Sequence, residues 1–276
     1  MAILIEPQRK RSMTLTPLSF TFDWNKKRLG ALLAGSVCWA SLVTPVSAGE
    51  LMVAVAANFQ RPMQAIAASF ERESGHALIL SFGATGSFYA QIKNGAPYQV
   101  LLSADQDTPS KLVAEGLGVE RTQLTYAVGQ LVLWSAKAGY VDAQGQILKT
   151  QPFQRLAIAN PKLAPYGLAA IETLKKLDLL GALERKMILG DNIAQTHQWV
   201  MSENAELGFV ALSQVMTEGK ISTGSAWMVP PSLHAPIAQD AVVLKNGKGN
   251  AVANALMIYL QSDKIKSLIR SYGYRV

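Results

Sequence analysis

Three times between residues 51 and 115, a short apolar run ends in a small or polar turn and a helix-like pattern follows. The first run, residues 51–57, stops at Asn58-Phe59. Met63, Ile66, Ala67 and Phe70 then recur at helical spacing until Ser74-Gly75, and Pro62 suits the first turn. The second run, residues 77–82, meets Gly83-Ala84-Thr85-Gly86, after which Phe88, Tyr89 and Ile92 share a face up to Asn94-Gly95-Ala96-Pro97. The third, residues 98–103, passes through Ala104-Asp105 into a helix from about Pro109 to Glu115. Few folds accept that alternation. It predicts an α/β chain with a parallel sheet and right-handed crossovers, whose ligands sit at the carboxyl ends of the strands.

The rest of the chain extends the pattern. Residues 124–135 are long for one strand and carry Gly129 in the middle, so they read as a connection leaving one lobe and entering another. A strand at 156–159 leads through Asn160-Pro161-Lys162-Leu163-Ala164-Pro165-Tyr166-Gly167 to a helix expected over 168–180, capped by Gly181. A strand at 187–190 leads through Asp191-Asn192 to a helix expected over 193–204, and 207–212 is a further strand. Residues 223–239, with three prolines, are irregular; a strand at 241–244 returns to the first lobe, and helices near 251–260 and 265–271 follow. With 276 residues there is room for two lobes of about 100 each. The expected division is 1–48 as a signal peptide, 49–128 with 231–276 as lobe 1, and 129–230 as lobe 2.

The formal charge of +7 is concentrated at the start of the chain. Residues 49–276 carry 20 Lys/Arg against 17 Asp/Glu, with no basic run interleaved with aromatics, which argues against a nucleic-acid partner. Lys26-Lys27-Arg28 precede an apolar stretch at 29–43, and Val46-Ser47-Ala48 supplies a small-x-small cleavage site, so export with Gly49 as the mature N-terminus is expected. Met13 is an alternative start that shortens the leader. Cys38, the one cysteine, falls inside that signal, and Val37 before it fits a lipidation site poorly. The mature chain then has no thiol chemistry.

A strand that ends in a tight turn opening a helix leaves the first N–H groups of the helix unpaired at the positive end of its dipole, a ready anion site. Four such junctions, two per lobe, stand at Ala57-Asn58, Thr85-Gly86, Tyr166-Gly167 and Asn192-Ile193. Hinged lobes closing on a ligand bring junctions of this kind together. Asn58 is a favoured N-cap, and its amide can also donate to a ligand oxygen; the hydroxyls of Thr85 and Tyr166 are further donors. Fixed donors hold a dianion without counter-charge and reject a protonated one, whose O–H finds no acceptor. Asp105 reads as a cap or turn residue rather than an acid. His76, His197 and His234 are scattered without metal-ligand spacing, and no nucleophile-elbow or phosphate-loop motif is present. An enzyme acting on a phosphorylated small molecule would need a base, metal or nucleophile beside the anion, and a sensor would need an added DNA-binding segment; neither feature is evident.

AVAANF, FGATGSFYAQIKNGAPYQVLLSADQ, NPKLAPYG, DNIAQTHQWV and LGFVALSQV together resemble the periplasmic molybdate-binding proteins of ATP-driven importers, over essentially all of residues 49–276. The resemblance implies a two-lobed periplasmic binding protein fold of type II, no enzymatic activity, no cofactor, and molybdate or tungstate as ligand. It also implies a membrane permease as partner, a monomeric state and a periplasmic location. Sulfate, thiosulfate or another small oxyanion is the alternative ligand. Carried over by motif, the contacts map to Ala57, Asn58, Thr85, Tyr166 and Ile193, with hydroxyl, amide and backbone N–H donors. Three positions depart from the pattern: Ala57 stands where Ser or Thr is frequent, Thr85 where Ser is usual, and Ala211 where some relatives place a Tyr hydroxyl on the ligand.

Overall fold

The computed structural model describes residues 49–150, 152–217 and 219–276. The expected signal peptide, with Ala48 and Cys38, lies outside the described residues. In chain order the first elements are β1 (Glu50–Ala56), α1 (Gln60–Ser74), β2 (Ala77–Gly83), α2 (Thr85–Lys93), β3 (Val100–Leu102) and α3 (Asp107–Ala114). Next come β4 (Leu124–Gly129), β5 (Leu131–Ser135), α4 (Ile147–Thr150), β6 (Leu156–Ala159), α5 (Pro165–Lys176) and α6 (Leu180–Leu183). Then follow β7 (Met187–Gly190), α7 (Ile193–Met201), β8 (Leu207–Ala211), α8 (Leu212–Val215), β9 (Met216–Thr217) and β10 (Lys220–Ile221). The last are β11 (Ser225–Met228), β12 (Ile237–Val243), α9 (Ala251–Leu260) and α10 (Asp263–Ser271).

Two five-stranded sheets result, ordered β2-β1-β3-β12-β4 and β11-β5-β8-β6-β7, with β9 and β10 as a separate ribbon. Within each sheet the strands of the βα units run parallel, β2-β1-β3 in one and β7-β6-β8 in the other. The strands that cross between lobes, and their partners, pair antiparallel. The long apolar run at 124–135 is thus two strands in two sheets, separated by Gln130. The chain returns through β11 and β12.

Alternation along β1 explains why it is apolar from Leu51 onward. Leu51, Val53 and Val55 enter one cluster with Met63, Ile66 and Phe70 of α1, while Ala54 packs on the opposite face with Phe88 and Ile92 of α2. Helices cover both faces, so Val53 to Ala56 are buried without a break. The second sheet repeats this, with Leu131 and Leu133 facing one cluster and Val132 and Trp134 the other. α1 closes where expected, on Gly75 in the left-handed conformation, which glycine adopts without a Cβ penalty. α5 differs from expectation. It begins at Pro165, whose fixed φ and missing N–H suit a first helical position, and it ends at Lys176, where Asp178 at φ 57 turns the chain out of the helix. Among the described residues, no helix is long and apolar enough to cross a membrane.

Candidate oxyanion site

All four strand–turn–helix junctions converge on one small cavity between the two sheets. It is lined by Ala56, Ala57, Asn58, Gly83, Ala84, Thr85, Ala104, Ala164, Pro165, Tyr166, Asn192 and Ile193, and measures about 10 Å³. That is about the space one water needs. The five residues singled out from the sequence, Ala57, Asn58, Thr85, Tyr166 and Ile193, all stand in its wall and are all buried. None of the lining residues is charged.

The donors facing this space are chiefly main chain. Ala57 and Asn58 form a short 3-10 turn after β1, Thr85 opens α2, Tyr166 lies in the first turn of α5, and Ile193 opens α7. Their N–H groups precede any intrahelical acceptor. α7 is held in register by the Asn192 side chain, which accepts from the N–H groups of Ala194 and Gln195 at 2.9 and 3.0 Å. Gln214 donates to the Ile193 carbonyl at 3.0 Å and accepts from the Ala211 N–H at 3.0 Å, tying the first turn of α7 to the end of β8. Ala211 itself lies buried in that strand rather than in the cavity wall.

The side chains divide differently from the sequence expectation. Thr85 Oγ1 accepts from the Ala104 N–H at 3.0 Å, and Ser103 Oγ, 3.4 Å away, has the Asp105 carboxylate as a nearer acceptor at 3.0 Å. Thr85 stands in the cavity wall, and its hydroxyl, a rotor with one proton to give, is within reach of that space. Asn58 does not cap a helix, and its amide does not point to the ligand space. Its two N–H bonds go to Gln239 Oε1 at 2.8 Å and Tyr274 Oη at 3.0 Å. The Tyr166 hydroxyl is likewise committed elsewhere: it accepts from Gln239 Nε2 at 3.2 Å. Burial pushes its pKa well up, with Tyr274 and Tyr126 adding to the effect, so it stays a neutral donor.

Gln239, Tyr126, Tyr274 and Ser213, which form this buried layer beneath Asn58, were not evident in the sequence. One signal was present: Gln239-Asp240 is a polar pair inside an otherwise apolar strand. The pairing register of β12 shifts between those two residues, an irregularity of the kind that re-aims side chains. Phe59 packs edge-on to Tyr126 and Tyr274 at centroid distances of 4.7 and 5.3 Å, each such contact worth about 0.5–1.5 kcal/mol beyond area burial. The turn carrying Asn58 thus rests on a stiff platform.

The lobes touch beyond the cavity. The Gly86 N–H donates to the Leu163 carbonyl at 2.9 Å, and a Cβ on Gly86 would crowd that same residue. The Arg61 guanidinium reaches the carbonyls of Ser213, Gln214 and Met216 at 3.1–3.3 Å and lies over the Tyr272 ring. A larger cleft of about 190 Å³ adjoins, carrying Asp105, Asp107 and Glu172. Asp105 accepts from the Thr108 N–H at 2.9 Å, the capping role expected of it; burial raises its pKa, partly offset by the Thr108 and Ser103 donors. Among the described residues no group of His, Cys, Asp and Glu is placed to hold a metal ion.

Comparison with known proteins gives the chain's family and fold. A family model for bacterial extracellular solute-binding proteins matches residues 51–275. The molybdate-binding protein ModA of Azotobacter vinelandii is 55% identical over 233 residues, covering 84% of this chain and 92% of the relative. ModA of Rhodobacter capsulatus is 47% identical over 88% of this chain and 96% of its own length. The solved periplasmic molybdate-binding protein of Azotobacter vinelandii superposes with a TM-score of 0.80 at 40% identity, covering 82% of this chain and 99% of that one. A sulfate-binding protein of Mycobacterium tuberculosis, at 12% identity and TM-score 0.70, shares the fold alone.

Proposed function

Because the chain belongs to the bacterial extracellular solute-binding proteins, alongside molybdate-binding relatives, we propose that it captures molybdate, and tungstate with it, between its lobes for delivery to a membrane permease. The observation that carries this reading is the convergence of four helix openings on one uncharged cavity. A dianion there is met by oriented N–H groups of Ala57, Asn58, Thr85, Tyr166 and Ile193 and by the Thr85 hydroxyl. Selection against sulfate falls to the size of the cavity once the lobes have closed on the anion, since molybdate and tungstate have longer metal–oxygen bonds than the S–O bonds of sulfate. In this reading residues 49–128 with 231–276 act as one lobe and 129–230 as the other, while 1–48 direct export to the periplasm. The protein works as a monomer without a cofactor.

The test is calorimetric titration of residues 49–276 with molybdate, tungstate and sulfate. Tight binding of the first two with sulfate silent is the expected result. Sulfate binding of equal strength moves the assignment to another oxyanion, and silence toward all three overturns it.

A further inference from the structure

The Tyr166 hydroxyl crosses from its own lobe into a socket in the other, and the contacts there link it to Asn58. It accepts from Gln239 Nε2 at 3.2 Å, while Gln239 Oε1 accepts from Asn58 Nδ2 at 2.8 Å and lies 3.0 Å from the Tyr126 hydroxyl. Gly129, where the chain leaves the first sheet, leaves room for it; a Cβ there would overlap both the Tyr166 hydroxyl and the Gln239 amide. Ser213, from the Tyr166 side, and Tyr274, from the Asn58 side, each donate to the Asn58 carbonyl at 2.8 Å. Gln239 is fully buried, and no residue in this chain of bonds is charged.

We infer that Tyr166 and Gln239 form a cross-lobe catch, with Gln239 as a positioning residue that couples lobe closure to the orientation of the Asn58 turn. The inference rests on the oxyanion reading of the cavity. In it, Tyr166 meets the anion through its main-chain N–H, and its hydroxyl serves closure instead. Opening the lobes breaks the Gln239–Tyr166 and Ser213–Asn58 bonds together and frees the Asn58 turn. The catch thus slows anion release without touching the anion, and association, which starts from separated lobes, does not depend on it.

The test is a double-mutant cycle of Tyr166→Phe and Gln239→Met, read by stopped-flow molybdate association and dissociation and by melting of the ligand-free protein. Each single variant is expected to raise the dissociation rate roughly five- to tenfold with association unchanged. The double variant is expected to be no faster than the faster single. Multiplicative effects would mean that the hydroxyl acts by itself on the anion, and unchanged dissociation would mean that the bonds are idle; either overturns the catch. If melting shows that Gln239→Met does not fold, Tyr166→Phe decides alone: faster release with an unaltered molybdate-to-sulfate preference upholds the catch, and a changed preference or unchanged release overturns it. If the wild-type protein binds no oxyanion, the functional reading falls and solution scattering decides the catch separately. A larger radius of gyration for Tyr166→Phe than for wild type upholds it, and identical curves overturn it.

Discussion

Thr85 and Ile193 face the same cavity from opposite lobes and do so by different means. Thr85 brings a hydroxyl whose acceptor side is filled by the Ala104 N–H, in addition to its main-chain donor. Ile193 brings the main chain only; its side chain is packed into the apolar cluster with Tyr166 and Ala211. The one half-site is therefore open to tuning by side-chain chemistry. The other is tuned only through the geometry of a helix end, which Asn192 and Gln214 hold. Substitutions on the two sides should separate into those that change affinity directly and those that act through local order.

The largest effect is expected at the first side. Thr85→Ala removes the hydroxyl from the cavity wall and should weaken molybdate binding by about 1–3 kcal/mol; calorimetry showing full affinity would erase the distinction between the halves. On the other side, Asn192→Ala strips the cap from α7 and should lower folding stability by about 0.5–2 kcal/mol, with a smaller loss of affinity. Denaturant unfolding beside titration separates the two quantities. An affinity loss exceeding the stability loss would indicate that the Asn192 side chain itself reaches the ligand. Ile193→Val should leave affinity unchanged while costing about 0.5–1.5 kcal/mol of stability through lost packing.

The smallest effect lies one turn further along α7. His197 stacks on Trp134 at 5.2 Å, and its Nε2 has no hydrogen-bond partner among the described residues. Burial lowers its pKa below the ordinary 6.5, and the Arg61 charge adds to this. Both states hold it neutral well above that value. As pH falls through it, the unfolded chain takes up the proton first, so stability declines until the lower folded value is passed. His197→Gln should flatten this portion of the stability–pH curve, and urea unfolding between pH 5 and 8 reads it. An identical curve in the variant would assign the slope to other groups.

The alternation of strand, turn and helix was legible because β1 and its counterparts are buried on both faces, which leaves an unbroken apolar run. The four junctions were legible for a related reason: glycine, proline and asparagine mark where strands end and helices start. What lay hidden was the direction of side chains at those junctions. Asn58 and Tyr166 are equally plausible ligands as residue types, and only the three-dimensional neighbourhood shows their polar atoms spent on Gln239 and Tyr274. Those partners lie 181 and 216 residues from Asn58, a separation that local pattern does not span. The end of α5 was missed because Asp178 adopts a left-handed conformation that no glycine announces.

No charged side chain lines the small cavity. A captured dianion is therefore not neutralised where it sits, and its charge is added whole to that of its carrier. Residues 49–276, with 20 basic and 17 acidic side chains, pass from a net +3 when empty to +1 when loaded. Empty and loaded forms are then distinct electrophoretic species, and occupancy can be followed by mobility in a field without any label.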